Sequence, residues 1–215
     1  MSDVNSGRPA DARQVVLDRI RDALADEPRT VVVPRDYELG LPAGTDILGL
    51  FVERVGHYRA TVHRTVTAGL PSTVAAVLSA HRARRLLVPT GVPADWTAGV
   101  TFERFVDDPP LGYPELDRLD GVITGCAVGI AETGTIVLDA GPEQGRRAIS
   151  LLPDLHICVV RAEQVVGSVP EAFARLDPTR PLTWISGPSA TSDIELERVE
   201  GVHGPRRLEV ILVEG

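Results

Sequence analysis

Lysine is absent from this 215-residue chain, so all 22 of its basic residues are arginine. That absence excludes enzymes that form a Schiff base on a lysine amine, and it excludes the Walker-type phosphate loop, which requires a lysine. Any anion held here must be held by guanidinium forks, backbone amides or helix N-termini. Cysteine is nearly as scarce. Cys126 and Cys158 stand alone with no CxxC spacing, so the chain supplies neither a cysteine-based zinc site nor an iron–sulfur site of its own. Two buried thiols are expected, although spacing alone leaves a disulfide open. The five histidines, His57, His63, His81, His156 and His203, form no HxxxH or HxH pair, and no metal site is expected.

Long apolar runs are missing as well. Nothing approaches the roughly 18 to 20 residues that a membrane-spanning helix needs. Asp3, Arg8, Asp11, Arg13, Asp18 and Arg19 interrupt the first thirty residues, so no secretory signal is read there and a cytoplasmic protein is expected. The 22 basic and 30 acidic residues leave a net charge of −8, which supplies no global field for nucleic acid or anionic lipid. What is present, 43% hydrophobic and 24% charged residues, describes an ordinary globular core.

Periodicity divides the chain into a helix and connecting arm over 1–44 and a main domain over 45–215. Val16, Ile20, Ala23 and Leu24 place one apolar stripe on a helix over 11–25. Ile47, Phe51, Val55 and Tyr58 mark a second helix. Strands are then expected at 59–66, 85–89, 101–106, 121–124, 135–138, 155–160, 182–186 and 208–213. Helices are expected at 71–82 and 144–152, and Ser168 with Glu171 forms a capping box for another through 176. Strands separated by helical patterns imply an α/β fold, a mostly parallel sheet with helices on both faces. The runs 155–160, 182–186 and 208–213 are expected among the buried strands of a single sheet. Such sheets bind ligands beyond the carboxyl ends of their strands.

Three segments carry residues that a core would not choose. In the first, Glu132, Thr133, Gly134 and Thr135 follow a strand. Glu132 is there a candidate nucleophile or general base, or simply a solvated turn residue. In the second, Gly141 to Ser150 runs from a glycine loop into a helix; Arg146 can hold a carboxylate or phosphate, or belong to a solvated face. The third follows an apolar strand with Ser186, Gly187, Ser189, Thr191, Ser192, Asp193 and Glu195. Its hydroxyls suit a helix cap and an anion site alike. Gly204 and Arg206 come next, beside His203, a loop histidine able to act as acid, base or donor. The Glu132–Thr135 turn, the Ser186–Ser192 loop and Arg206 are expected to converge on one crevice that binds an anion.

Taken in order, TGCAVGIAETGTIVL, GRRAISLLPDLHICVV and SGPSATSDIELERVEGVHGPRRLEVILV resemble the lactate-utilization protein C family of stand-alone LUD-domain proteins. The resemblance covers roughly residues 45–215. It implies a NagB/RpiA/CoA-transferase-like fold and a part in oxidising L-lactate to pyruvate beside iron–sulfur partner proteins. The clusters would then sit in the partners and none in this chain. The chain itself would be an accessory subunit binding a small organic anion or nucleotide. The alternative is a free-standing acyl/CoA-transferase-like or cyclo-ligase-like enzyme using Glu132. One departure stands out: Ala190 occupies a place where the family often carries an arginine.

Overall fold

The computed structural model describes residues 12–25, 32–188 and 204–215. The chain forms two compact units, 1–37 and 38–215. Ser189, Ser192, Asp193, Glu195 and His203 lie outside the described residues. The first unit contributes one helix, α1 (Ala12–Ala23), with no buried residue; its exposed Asp18 and Arg21 pair at 2.8 Å.

The second unit is built on a six-stranded parallel sheet. Its strands are β1 (Thr61–Thr65), β2 (Arg85–Leu87), β3 (Glu103–Phe105), β4 (Gly121–Thr124), β7 (Leu155–Arg161) and β10 (Arg207–Val213). Their order is β1-β10-β7-β4-β2-β3. β7 and β10 occupy the middle and are almost wholly buried, which is why their sequences read as continuous apolar runs rather than alternating ones.

Side-chain alternation divides that burial between two layers. Leu155, Ile157, Val159, Ile211 and Val213 pack against Leu70, Val74, Val77 and Leu78 of α3 (Leu70–His81). Cys158, Val160, Leu208, Val210 and Leu212 point the other way, toward Phe51 and Val55 of α2 (Ile47–His57). On that second face, α4 (Tyr113–Leu116) sends Leu116 against Leu87, Val122 and Ile149, the last from α5 (Ala148–Leu151). Glu209 of β10 is buried on the α3 face, and each carboxylate oxygen accepts a 2.7 Å hydrogen bond, one from His63 and one from His81. This ties the end of α3 to the edge strand.

The expected single sheet is corrected here. A second, four-stranded sheet covers the α2 face, in the order β8-β5-β6-β9. It contains β5 (Val128–Ile130), β6 (Thr135–Leu138), β8 (Val165–Val166) and β9 (Thr183–Ile185). The 182–186 run therefore does not lie beside β7 and β10. It pairs antiparallel with β6, which itself pairs antiparallel with β5. α6 (Val169–Arg175) packs on the outer side of this sheet through Ala172. The helix expected over 144–152 is also shorter, because Gly145 at φ +66° interrupts it and only Ala148–Leu151 is helical.

Candidate functional site

A concavity opens beyond the carboxyl ends of β2 and β3, where ligands of open α/β sheets bind. Its volume is about 700 Å³. Pro89 and Thr90 come from the end of β2, Asp107 from the end of β3, and Gly141, Gly145 and Arg146 from the loop before α5; Arg180 closes it. Close backbone approach holds that loop in place. The Gly91 amide donates to Pro142 O at 3.1 Å, and any Cβ on Gly91 would collide with Pro142. The Gly125 amide, just past β4, donates to Glu143 O at 3.0 Å.

Arg146 sits at the centre of the charge arrangement. Its Nε and Nη2 donate to the two oxygens of Asp107 at 2.6 and 3.0 Å, and Nη2 also donates to Leu111 O at 2.6 Å. Burial works to raise Asp107. The hydrogen bonds from Arg146 and the Leu111 amide, with the guanidinium charge, outweigh it and hold the carboxyl below its ordinary range. Arg180 makes a matching pair with Asp139 at 2.7 Å. Each guanidinium is thus oriented by a carboxylate and retains donors beyond that bond. Arg146 and Arg180 line the cavity beside the carboxylates of Asp107 and Asp108, an arrangement suited to a small polar acid carrying a hydroxyl as well as a carboxylate.

The other residues singled out in the sequence gather elsewhere. Thr133 and Thr135 hydroxyls lie 2.7 Å apart, and Thr135 lies 2.8 Å from the Ser186 hydroxyl. Gly134 turns at φ +59° against the backbone of Arg54 and Val55, and Gly187 at φ +86° against Tyr58. Both contacts lie at the end of α2, just before the amino end of β1. Ser186, Gly187 and Gly204 line a small cavity of about 220 Å³ with Arg147 and Ser150. The expectation that these segments adjoin the carboxyl ends of parallel strands is therefore corrected. They belong to the second, mixed sheet and its turns, near the amino ends of the parallel strands.

Glu132 is exposed on the β5–β6 turn, where its amide donates to Gly167 O at 3.0 Å. Arg206 is exposed and pairs with Asp154 at 3.3 Å; it does not reach Arg146. Asp107, Asp139 and Arg180 were not singled out in the sequence. Asp107 falls 39 residues before its partner in a stretch with no periodicity, and only the adjacent Pro109-Pro110 marked the chain as fixed there.

Two buried groups complete the chemistry on the α2 face. Cys126 and Cys158 are free and buried. A hydrogen bond to Cys158, followed by burial, pushes the Cys126 thiol up, the opposite of what a reactive thiolate needs. His156 is wholly buried, with Nε2 2.8 Å from the Thr124 hydroxyl and Nδ1 without a partner among the described residues. Burial lowers it from 6.5 to about 4.

Comparison with known proteins places this geometry. Residues 113–213 match the LUD domain. The chain is 50% identical over 210 residues to lactate utilization protein C of Deinococcus radiodurans, spanning 95% of this chain and 96% of that protein. It is 29% identical over 232 residues to the protein of the same name from Geobacillus kaustophilus, at 94% and 95% coverage. The crystal structure of a DUF162 family protein from Deinococcus radiodurans superposes with a TM-score of 0.67 at 48% identity, covering 78% of this chain and 96% of that one. With half its residues shared from end to end with one such protein, the chain belongs to the LUD-domain family, among the lactate utilization protein C proteins.

Proposed function

We propose that the chain serves L-lactate utilization as a cytoplasmic ligand-binding subunit, holding a small organic acid in the crevice of Arg146, Asp107 and Arg180. The observation that carries the pathway is the end-to-end relationship to a protein named lactate utilization protein C. The crevice supports the binding role, since its guanidinium groups are oriented before any ligand arrives, which reduces the ordering cost of binding. Two cysteines cannot hold a four-thiolate cluster, so electron transfer in this reading belongs to iron–sulfur partner proteins that work beside the chain. Glu132 lines neither of the two cavities described above.

Gene deletion in the source organism tests the proposal. Growth on L-lactate should fail while growth on pyruvate continues, and the wild-type gene should restore it. Arg146→Ala should restore it poorly. Affinity capture from lactate-grown cells should bring down proteins containing iron and acid-labile sulfide. Undiminished growth of the deletion strain on L-lactate would overturn the reading.

A further inference from the structure

We propose that a second site, at the amino ends of β2, β4, β7 and β10, binds a compact polyanion through Arg82, Arg118 and Arg207. It lies at the opposite strand ends from the Arg146 crevice, in a cavity of about 340 Å³. Arg82 caps α3 in the left-handed conformation, at φ 54° and ψ 28°. Arg118 follows α4, and Arg207 opens β10. Three elements far apart in sequence thus bring arginines to one concavity.

The charges there do not cancel. Arg85 is committed to Asp120 at 3.3 Å, and the other Asp120 oxygen accepts the amides of Arg84 and Arg85 at 2.8 Å. Asp154 is committed to Arg206. Among the described residues, the side chains of Arg82, Arg118 and Arg207 make no hydrogen bond or ion pair, and the remaining acidic side chain, Asp117, makes none either. Three uncommitted guanidinium groups against one uncommitted carboxylate leave the cavity positive in a chain whose net charge is −8.

Ordinary solvated arginines spread apart on a surface; like charges gathered in a concavity repel unless an anion joins them. Guanidinium forks match the oxygens of carboxylate and phosphate groups equally. The cavity is at the small end of ligand sites, which run from about 300 Å³. It therefore suits a small ligand with two or more negative charges, and not a dinucleotide. Diphosphates and tricarboxylates share that chemistry.

Titration calorimetry of the full chain with pyrophosphate and with tricarballylate, a tricarboxylate without the hydroxyl that suits the Arg146 crevice, at low and at moderate salt, separates the two sources. One probe or both should bind with a stoichiometry of one and weaken as salt rises. Arg118→Ala and Arg207→Ala should each weaken binding about tenfold, the scale of one charge-assisted hydrogen bond. Both residues are exposed, so the melting temperature should hold and report intact folding. Arg146→Ala should leave binding unchanged, which separates this site from the crevice at the other strand ends. Failure of both probes to bind, or undiminished binding by the Arg118→Ala/Arg207→Ala double variant, would overturn the proposal. So would loss of binding in Arg146→Ala alone.

Discussion

His156 shows how a single residue makes the whole fold answer to pH. Its ring is wholly buried, and among the described residues Thr124 is its one hydrogen-bond partner and Nδ1 has none. Charging it there would place an imidazolium in a low-dielectric core. Burial sets the folded value at about 4 against 6.5 for an open histidine. The unfolded chain therefore takes up a proton as pH falls through 6.5, while the folded chain does not until about 4. Stability contributed by the neutral ring is complete above 6.5 and drains away across that window. Between pH 7.5 and 4.5 the loss amounts to about 2–3 kcal/mol. Urea unfolding at both pH values should show that much more loss for the wild type than for His156→Gln, whose amide does not titrate. Equal losses would mean that water or structural relaxation already accommodates the charged ring.

At the scale of elements, legibility followed burial pattern. The cores of β7 and β10 were readable at 155–160 and 208–213 because strands covered on both sides use unbroken apolar runs. The α6 cap was readable because its two members sit three residues apart. The Ser168 hydroxyl accepts from the Glu171 amide at 3.5 Å and donates to Leu39 O at 2.8 Å. The Glu171 carboxylate returns to the Gly167 amide at 2.7 Å. Ser168→Ala should cost about 1–2 kcal/mol, at the upper part of the capping range because it also strands a carbonyl. Urea denaturation reads that cost, and a variant as stable as wild type would show the cap to be ornamental. By contrast, β5 was not legible. Its Val128-Gly129-Ile130 sits in a glycine-rich stretch that looks like a loop, because Gly129 must admit the ring of Phe51. Membership of one sheet or the other was equally hidden, since strands of only three or four residues carry too little pattern to tell the two apart. In the candidate site, the glycine loop pointed to Arg146, whereas Asp107 and Arg180 became visible only once folding joined distant segments.

For the whole molecule, the two sheets should not open together. β7 and β10 are paired along their full length in the parallel sheet and covered on both sides, by α3 and by the α2 layer. Opening them removes most of the apolar contact that holds the second unit together, so their amides should exchange with solvent only through global unfolding. β9 stands at the edge of the second sheet, bonded to β6 alone among the described residues, with Trp184 partly exposed against Phe173. Releasing it exposes little and breaks few bonds. Native-state hydrogen exchange under rising urea should therefore find residues 157–160 and 209–212 tracking the global free energy. Residues 183–185 should exchange by a smaller, nearly urea-independent opening. Uniform protection across both sheets would mean that the second sheet is no mere cover, but folds as one cooperative body with the parallel sheet beneath it.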